Sequence, residues 1–208
     1  AVDPAEDEKD KAFAVNATGV RNIAAAAKAK GAKLIHFSTD YVFPGLKESG
    51  YDESDETGPS SVYGASKLAG EYEIISAYEK YFIFRISWLY GPYGKNFVYT
   101  MLNLFEQRDE LNVVNDQFGS PTYTGEVADF IVNLIQSDSS ACGIYHLSGE
   151  GMTNWHEFAS EIYKLALKCG ITERKVIINP VDSSKYPQKA KRPAYSYMLK
   201  DKLYSTFG

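Results

Sequence analysis

The chain has 208 residues, enough to bury a real core in one domain or in one large domain with a smaller appendage. Its 44% apolar and 24% charged residues and its net charge of −5 exclude wholesale disorder, and no basic stripe interleaved with aromatics marks a nucleic-acid partner. No apolar run approaches a membrane span, no signal peptide is visible, and Cys142 and Cys169 make no disulfide framework, so a cytoplasmic protein without a membrane partner is expected.

Asp3-Pro4 suits a helix start, and Glu6 to Lys30 reads as one long helix. Phe13, Val20, Ile23 and Ala24 recur near helical spacing, and Gly31 marks the end. "KLIHFS" is a short apolar run that suits a buried parallel strand. The stretch from Thr39 to Ser60 is dense in Gly, Pro, Asp and Ser and reads as loop. Tyr63 to Tyr78 is a second predicted helix, and "YFIFRIS" a second buried strand. After the loop "WLYGPYGKN" come a helix over Phe97 to Gln107 and a short strand, "LNVV". "NDQFGSPTY" reads as loop, Glu126 to Gln136 as helix and "GIYHLSG" as a third buried strand. Trp155 to Lys168 is helical, "KVIIN" a strand, and the tail ends in a short helix near Leu199 to Tyr204. Helices alternating with short apolar strands predict an α/β fold with a parallel sheet. Ligands then bind beyond the carboxyl ends of the strands, in the loops after "IHFS", "FRIS" and "YHLSG".

Those loops hold the chemistry. Tyr63 and Lys67 stand four apart on a predicted helix and share one face. A phenol near its ordinary pKa of ~10 exchanges protons poorly at neutral pH, and a nearby ammonium favours the phenolate. A Tyr so tuned donates a proton to a carbonyl oxygen or takes one from an alcohol. Alone, the pair is also what a helix surface carries by chance. Ser38 and Thr39 change that weighting, because they end a strand on the ligand-bearing edge, where a hydroxyl reaches the same carbonyl oxygen. His36 and His146 lie among apolar strand residues and read as core or hydrogen-bonded histidines, and His156 has no metal-spaced partner, so no metal site is expected. Asn16, in the middle of a predicted helix, is unfavourable for propensity.

A strand ending in Ser-Thr, about two dozen residues, then Tyr-x-x-x-Lys resembles the active-site pattern of short-chain dehydrogenases/reductases. Further stretches narrow the resemblance. "STDYVFPG", "VYGASKLAGE", "RISWLYGPYGKNFV", "VVNDQFGSPTY", "GIYHLSG" and "RPAYSYMLKDKL" are similar, in this order, to the dTDP-4-dehydrorhamnose reductase family. "RISWLYGP" stands where nucleotide-sugar epimerases usually have Arg-x-x-Asn-x-x-Gly-Pro. The resemblance implies a Rossmann-like parallel sheet with a smaller substrate-binding subdomain. Residues 1–92 and 125–150 would belong to the dinucleotide-binding domain, and 93–124 and 151–208 to the subdomain. It implies NADPH or NADH as cofactor and reduction of the C4 ketone of dTDP-4-dehydro-L-rhamnose to dTDP-L-rhamnose. A nucleotide sugar is the implied partner, and a homodimer is compatible with the family.

In that pattern Thr39 polarises the carbonyl, Tyr63 is the acid/base, and Lys67 lowers the Tyr pKa and binds the nicotinamide ribose. Ser38 joins Tyr63 and Lys67 at the cofactor. Tyr41 and Trp88 would flank the sugar, Asn96, Gln117 and Thr122 would face the nucleotide, and Arg192 would hold the diphosphate, unless it is a solvated residue of the tail. An Asn on the helix corresponding to Asn16 supports the active site in this superfamily. Two other functions share these features: a non-catalytic homologue like the regulatory subunit of methionine adenosyltransferase, and a reductase of another dTDP-4-keto-6-deoxy sugar. No G-x-x-G-x-x-G occurs in the 208 residues. The family carries this turn under the cofactor pyrophosphate, upstream of the residues that "AVD" resembles, so the expectation is the carboxy-terminal part of a longer chain.

Overall fold

In the computed structural model, which describes residues 2–208, the helical run up to Lys30 is broken twice. α1 (Val2–Asp7) gives way at Glu8, whose φ of −115° and ψ of 49° are not helical, to α2 (Lys9–Phe13). A π turn over Ala14–Thr18 follows, and α3 (Gly19–Lys30) completes the run. The single helix expected over 6–30 is therefore corrected, and the π turn has a visible cause. The Asn16 side-chain amide, in that turn, donates to Ser66 Oγ at 3.0 Å. The Asn16 carbonyl comes so near Gly70 that a Cβ there would lie 2.1 Å from the oxygen. A π turn pushes one residue out of an otherwise regular helix, and here it delivers Asn16 to the neighbouring helix. Gly31 ends the run at φ 65°. Val20 and Ala24 face inward, while Ile23 is 58% exposed.

β1 (Leu34–Thr39) is followed by a 3-10 turn over Asp40–Val42 and a long loop. α4 (Val62–Ala77) starts with two of its free N–H groups satisfied: Ser61 Oγ accepts from Gly64 N at 3.1 Å, and Glu6 Oε1 accepts from Val62 N at 2.8 Å. β2 (Tyr81–Ile86) runs parallel to β1, from Leu34 opposite Tyr81 to Thr39 opposite Ile86. Next come β3 (Leu89–Tyr90), α5 (Phe97–Gln107), β4 (Glu110–Val114), β5 (Phe118–Gly119), β6 (Thr122–Tyr123) and α6 (Thr124–Gln136). β7 (Gly143–His146) lies parallel to β2, so the main sheet has the order β1-β2-β7. β8 (Thr153–Asn154), α7 (Trp155–Lys168), β9 (Ile177–Val181) and α8 (Asp201–Phe207) finish the chain. The α/β architecture with a parallel main sheet is the one expected from the strand and helix alternation. The stretch 115–123 expected as loop also contains the two short strands β5 and β6.

Alternation along β2 divides the core. Phe82 and Phe84 pack on one face with Val127, Leu134, Tyr145 and Leu203. Ile83 packs on the other with Val20, Ala24, Leu34 and Ile74. A separate apolar cluster of Met101, Phe105, Val113, Ala159, Ile162 and Val176 joins α5, β4 and α7, and β9 pairs with β4 beneath it. Among the described residues no helix is long and apolar enough to cross a membrane.

One ion pair lies inside this fold. Arg85 of β2 grips Glu71 of α4 with Nε at 3.0 Å and Nη2 at 2.7 Å, and the two side chains are 3% and 1% exposed. The guanidinium also faces the Phe43 ring at 5.0 Å. His146 packs edge-on against the same ring, and its Nδ1 donates to the Leu199 carbonyl at 3.1 Å. Burial, then the Arg85 charge, pushes its pKa down from 6.5 to about 3. His36 is likewise pushed down to about 4 by burial and by Lys67. Both are neutral packing residues.

Two outcomes follow from these groups. Arg85→Met leaves Glu71 buried without its partner and should lower unfolding free energy by ~3–5 kcal/mol, while Glu71→Gln with Arg85→Met should recover most of it. Urea unfolding of the three proteins checks this; a double variant as weak as the sum of the singles refutes it. For His146, the unfolded chain takes up a proton near 6.5 and the folded chain only near 3. Stability is therefore lost as pH falls through that interval, at up to ~1.4 kcal/mol per pH unit. His146→Gln should flatten the acid limb by about one proton in urea midpoints measured against pH, and an unchanged slope would contradict it.

Candidate active site

The carboxyl ends of β1 and β2 open into a cavity of about 340 Å³. Ser38, Thr39, Tyr41, Tyr63, Lys67 and Trp88 all line it, together with Asp40. α4 is seated so that Tyr63 and Lys67 face the strand end. Gly64 makes this possible, since a Cβ there would sit 2.2 Å from the Tyr41 carbonyl oxygen. Ser66, between the two, donates to the Tyr63 carbonyl at 2.8 Å and accepts from Asn16.

The electrostatics differ from the simple Tyr-Lys picture. Lys67 Nζ donates to the Phe37 carbonyl at 2.6 Å. Burial lowers the Lys67 pKa, and Glu71, one turn further along α4, opposes that shift. Burial raises the Tyr63 pKa, the Thr39 hydroxyl offsets part of the rise, and Asp40 adds to it. The expected lowering of the Tyr63 pKa by Lys67 is not among the causes that act on it in this state, and burial keeps the phenol protonated. Thr39 Oγ1 donates to Asp40 Oδ1 at 2.9 Å. A hydroxyl has one hydrogen, so Thr39 serves Asp40 or a ligand oxygen, not both at once. Ser38 Oγ is buried without a hydrogen-bond partner. Tyr41 lies edge-on to Tyr63 with ring centroids 5.7 Å apart.

A second cavity of about 310 Å³ adjoins the first across Tyr41 and is lined by Gln117, Trp155, Phe97, Asn112 and Arg192 among others. Arg192 Nη2 donates to Asp3 at 2.8 Å, its guanidinium lies 6.0 Å from the Tyr41 ring, and its Nη1 is buried without a partner. It is therefore packed into the cleft wall rather than solvated in the tail. Asn96 and Thr122 line neither cavity, contrary to expectation. Asn96 caps α5, accepting from Tyr99 N at 3.2 Å and donating to the Gly91 carbonyl at 2.9 Å. Thr122 is 2% exposed and ties Ser120 to Gly149. A hollow of about 620 Å³ beside Tyr81, Gly143 and Lys202 is larger, but it sits at the amino ends of β2 and β7, away from every candidate residue.

Two wall residues escape sequence reasoning. Asp40 is fully buried, and burial pushes its carboxyl up to about 6 despite the Thr39 hydrogen bond. Its only signal was adjacency to Thr39. Trp155 stacks flat on Trp88, with ring centroids 3.6 Å apart and planes at 9°. Nothing in "NWHEF" foretells that contact.

The whole chain, residues 1–208, matches the family described as the RmlD substrate binding domain. A dTDP-4-dehydrorhamnose reductase of Sinorhizobium fredii (strain NBRC 101917 / NGR234) is 46% identical over 213 residues, covering 100% of this chain and 71% of that protein. The crystal structure of dTDP-4-dehydrorhamnose reductase from Bacillus anthracis str. Ames in complex with NADP superposes with a TM-score of 0.92 at 45% identity, over 99% of this chain and 70% of that one. The corresponding structure from Clostridium acetobutylicum ATCC 824 gives a TM-score of 0.93 at 41% identity, over 100% of this chain and 71% of that one. With its full length matched by the RmlD substrate binding domain, the chain belongs to the dTDP-4-dehydrorhamnose reductase family.

Proposed function

We propose that this protein reduces the C4 ketone of dTDP-4-dehydro-L-rhamnose to the alcohol of dTDP-L-rhamnose, using NADPH or NADH. The observation that carries the reading is the convergence of Ser38, Thr39, Tyr63 and Lys67 on one cavity at a strand end. The relatives named dTDP-4-dehydrorhamnose reductase support the substrate, and the relative solved with NADP supports the cofactor. The residues present fit a nicotinamide ribose: Lys67 brings an ammonium to the cavity wall, and Ser38 brings a buried hydroxyl with no other partner. Bound NAD(P)H supplies the hydride to the ketone carbon. Tyr63, held as a phenol by burial, donates its proton to the ketone oxygen. The tyrosinate that remains is balanced by Lys67, the cation on the same helix face. Thr39 adds a hydrogen bond to the same oxygen when its hydrogen turns from Asp40.

Tyr41 and Trp88 flank the sugar in this reading, and Gln117 and Arg192 line the adjoining cavity for the nucleotide and its diphosphate. Residues 1–92 and 125–150 form the dinucleotide-binding part, and 93–124 and 151–208 the substrate-binding part. The separate apolar cluster of α5, β4 and α7 supports that division, although α8 packs its Leu203 back onto the main sheet. The exposed, unpaired Cys142 and Cys169 suit a cytoplasmic enzyme.

Tyr63→Phe keeps the ring and removes the proton donor. Turnover, followed as NADPH oxidation with dTDP-4-dehydro-L-rhamnose, should fall by at least ~10²-fold. The affinity for dTDP-L-rhamnose should hardly change. Near-parental turnover would take Tyr63 out of the reaction.

A further inference from the structure

The chain has two tryptophans, and they stack on each other in the wall between the two cavities. Trp88 faces the catalytic cavity, and Trp155 faces its neighbour. Trp88 also has a φ of 45°, the one positive φ of a non-glycine residue among the described residues. A bulky residue holds that conformation only where its surroundings enforce it. The enforcement is visible around the indole. Near its Cε2 and Nε1 atoms Gly119 leaves room that a side chain would fill: a Cβ there would lie 2.8 Å from Trp88 Cε2, 2.9 Å from Nε1 and 2.6 Å from Ser196 Oγ. Trp155 covers a face of the ring at 3.6 Å. Trp155 is itself anchored. It is the first residue of α7, whose N-cap Asn154 accepts from Glu157 N at 2.9 Å, and it packs on Phe97 at 4.7 Å at the edge of the second apolar cluster.

We propose that Trp155 is a positioning residue, clamping the Trp88 indole against Gly119 and so fixing the wall on which the hexose of a sugar nucleotide rests. The proposal rests on the reading above, in which the sugar lies against Trp88. It goes beyond that reading in giving Trp155 and Gly119 the task of holding Trp88 in a conformation it would otherwise leave. Trp155 acts through Trp88, so its effect on the sugar nucleotide must vanish when Trp88 is gone. A tryptophan that merely fills the core would instead weaken the whole protein, and its loss would not discriminate between the two substrates.

The test is a double-mutant cycle with KM measured separately for dTDP-4-dehydro-L-rhamnose and for NADPH. Trp155→Ala should raise KM for the sugar nucleotide roughly three- to tenfold, the range of an aromatic pair, and leave KM for NADPH unchanged. Trp155→Phe keeps a ring over Trp88 and should return KM to within about twofold of the parent. In a Trp88→Ala background, Trp155→Ala should add less than about twofold. Gly119→Ala, with both indoles intact, should displace Trp88 and reproduce the selective rise; it decides the matter if Trp155→Ala does not fold. Multiplicative effects across the cycle, an equal loss for NADPH, a Phe variant no better than Ala, or a Gly119→Ala protein with parental KM would each overturn the proposal. A parent that binds dTDP-L-rhamnose without turning over would sink only the assigned reaction, and the same cycle is then read in Kd for that ligand. A parent that neither binds nor reacts overturns both.

Discussion

The seating of α4 on the end of β1 is the constraint that the rest of the site depends on. Two glycines let backbone meet backbone: Gly64 against Tyr41, and Gly70 against Asn16. Between these contacts the helix face bearing Tyr63 and Lys67 is fixed to the strand that ends in Ser38 and Thr39. The bond from Lys67 Nζ to the Phe37 carbonyl closes the arrangement from the side-chain end. A Cβ at either glycine would force the helix away by more than a hydrogen bond tolerates. The π turn belongs to the same constraint, because a regular helix would not bring the Asn16 carbonyl and amide together onto α4.

Burial then sets the charge states. Tyr63, Lys67 and Glu71 succeed one another at four-residue steps along α4, and Arg85 closes on Glu71 from β2. Desolvation raises the Tyr63 pKa and lowers that of Lys67, so each is biased toward its neutral form. Glu71 counters the bias at Lys67 even though it is itself bound bidentately by Arg85. A proton donor has to begin as the acid, and a phenol kept protonated by its surroundings suits the direction of the proposed reduction. The ammonium matters after the proton has left, when charge appears on the phenol oxygen.

Much of this was legible in the sequence, and the exceptions share a cause. The three main-sheet strands and α4 show through because their apolar runs and caps are local properties. Thr39, Tyr63 and Lys67 show through because strand end and helix face are set by short-range spacing. Asn96 and Thr122 were expected at the nucleotide from the family resemblance and their place in loops. Their hydrogen bonds instead satisfy local backbone, at the start of α5 and between Ser120 and Gly149. The π turn was hidden because its reason, Ser66, lies 50 residues from Asn16. Trp155 was hidden for the same reason, since the packing of α7 on α5 and the pairing of β5 with β8 join stretches far apart in the sequence.

The change of sheet after β2 explains why strain collects at Trp88. The chain leaves β2 in the main sheet and enters β3, which pairs with β6 in a different sheet. The Trp88 carbonyl accepts from Thr122 N at 3.1 Å at the changeover, so the backbone there is fixed from outside. Glycine would meet the positive φ at least conformational cost. A tryptophan in its place means the indole's contacts outweigh the strain. Those contacts are Trp155 and the bare backbone of Gly119, one at the edge of the apolar cluster of α5, β4 and α7 and the other in the short antiparallel pairing of β5 with β8. The residue that joins the two sheets is thereby also the residue that senses how they are held. Rigidity built in the second cluster passes through one stacked pair into the wall of the catalytic cavity.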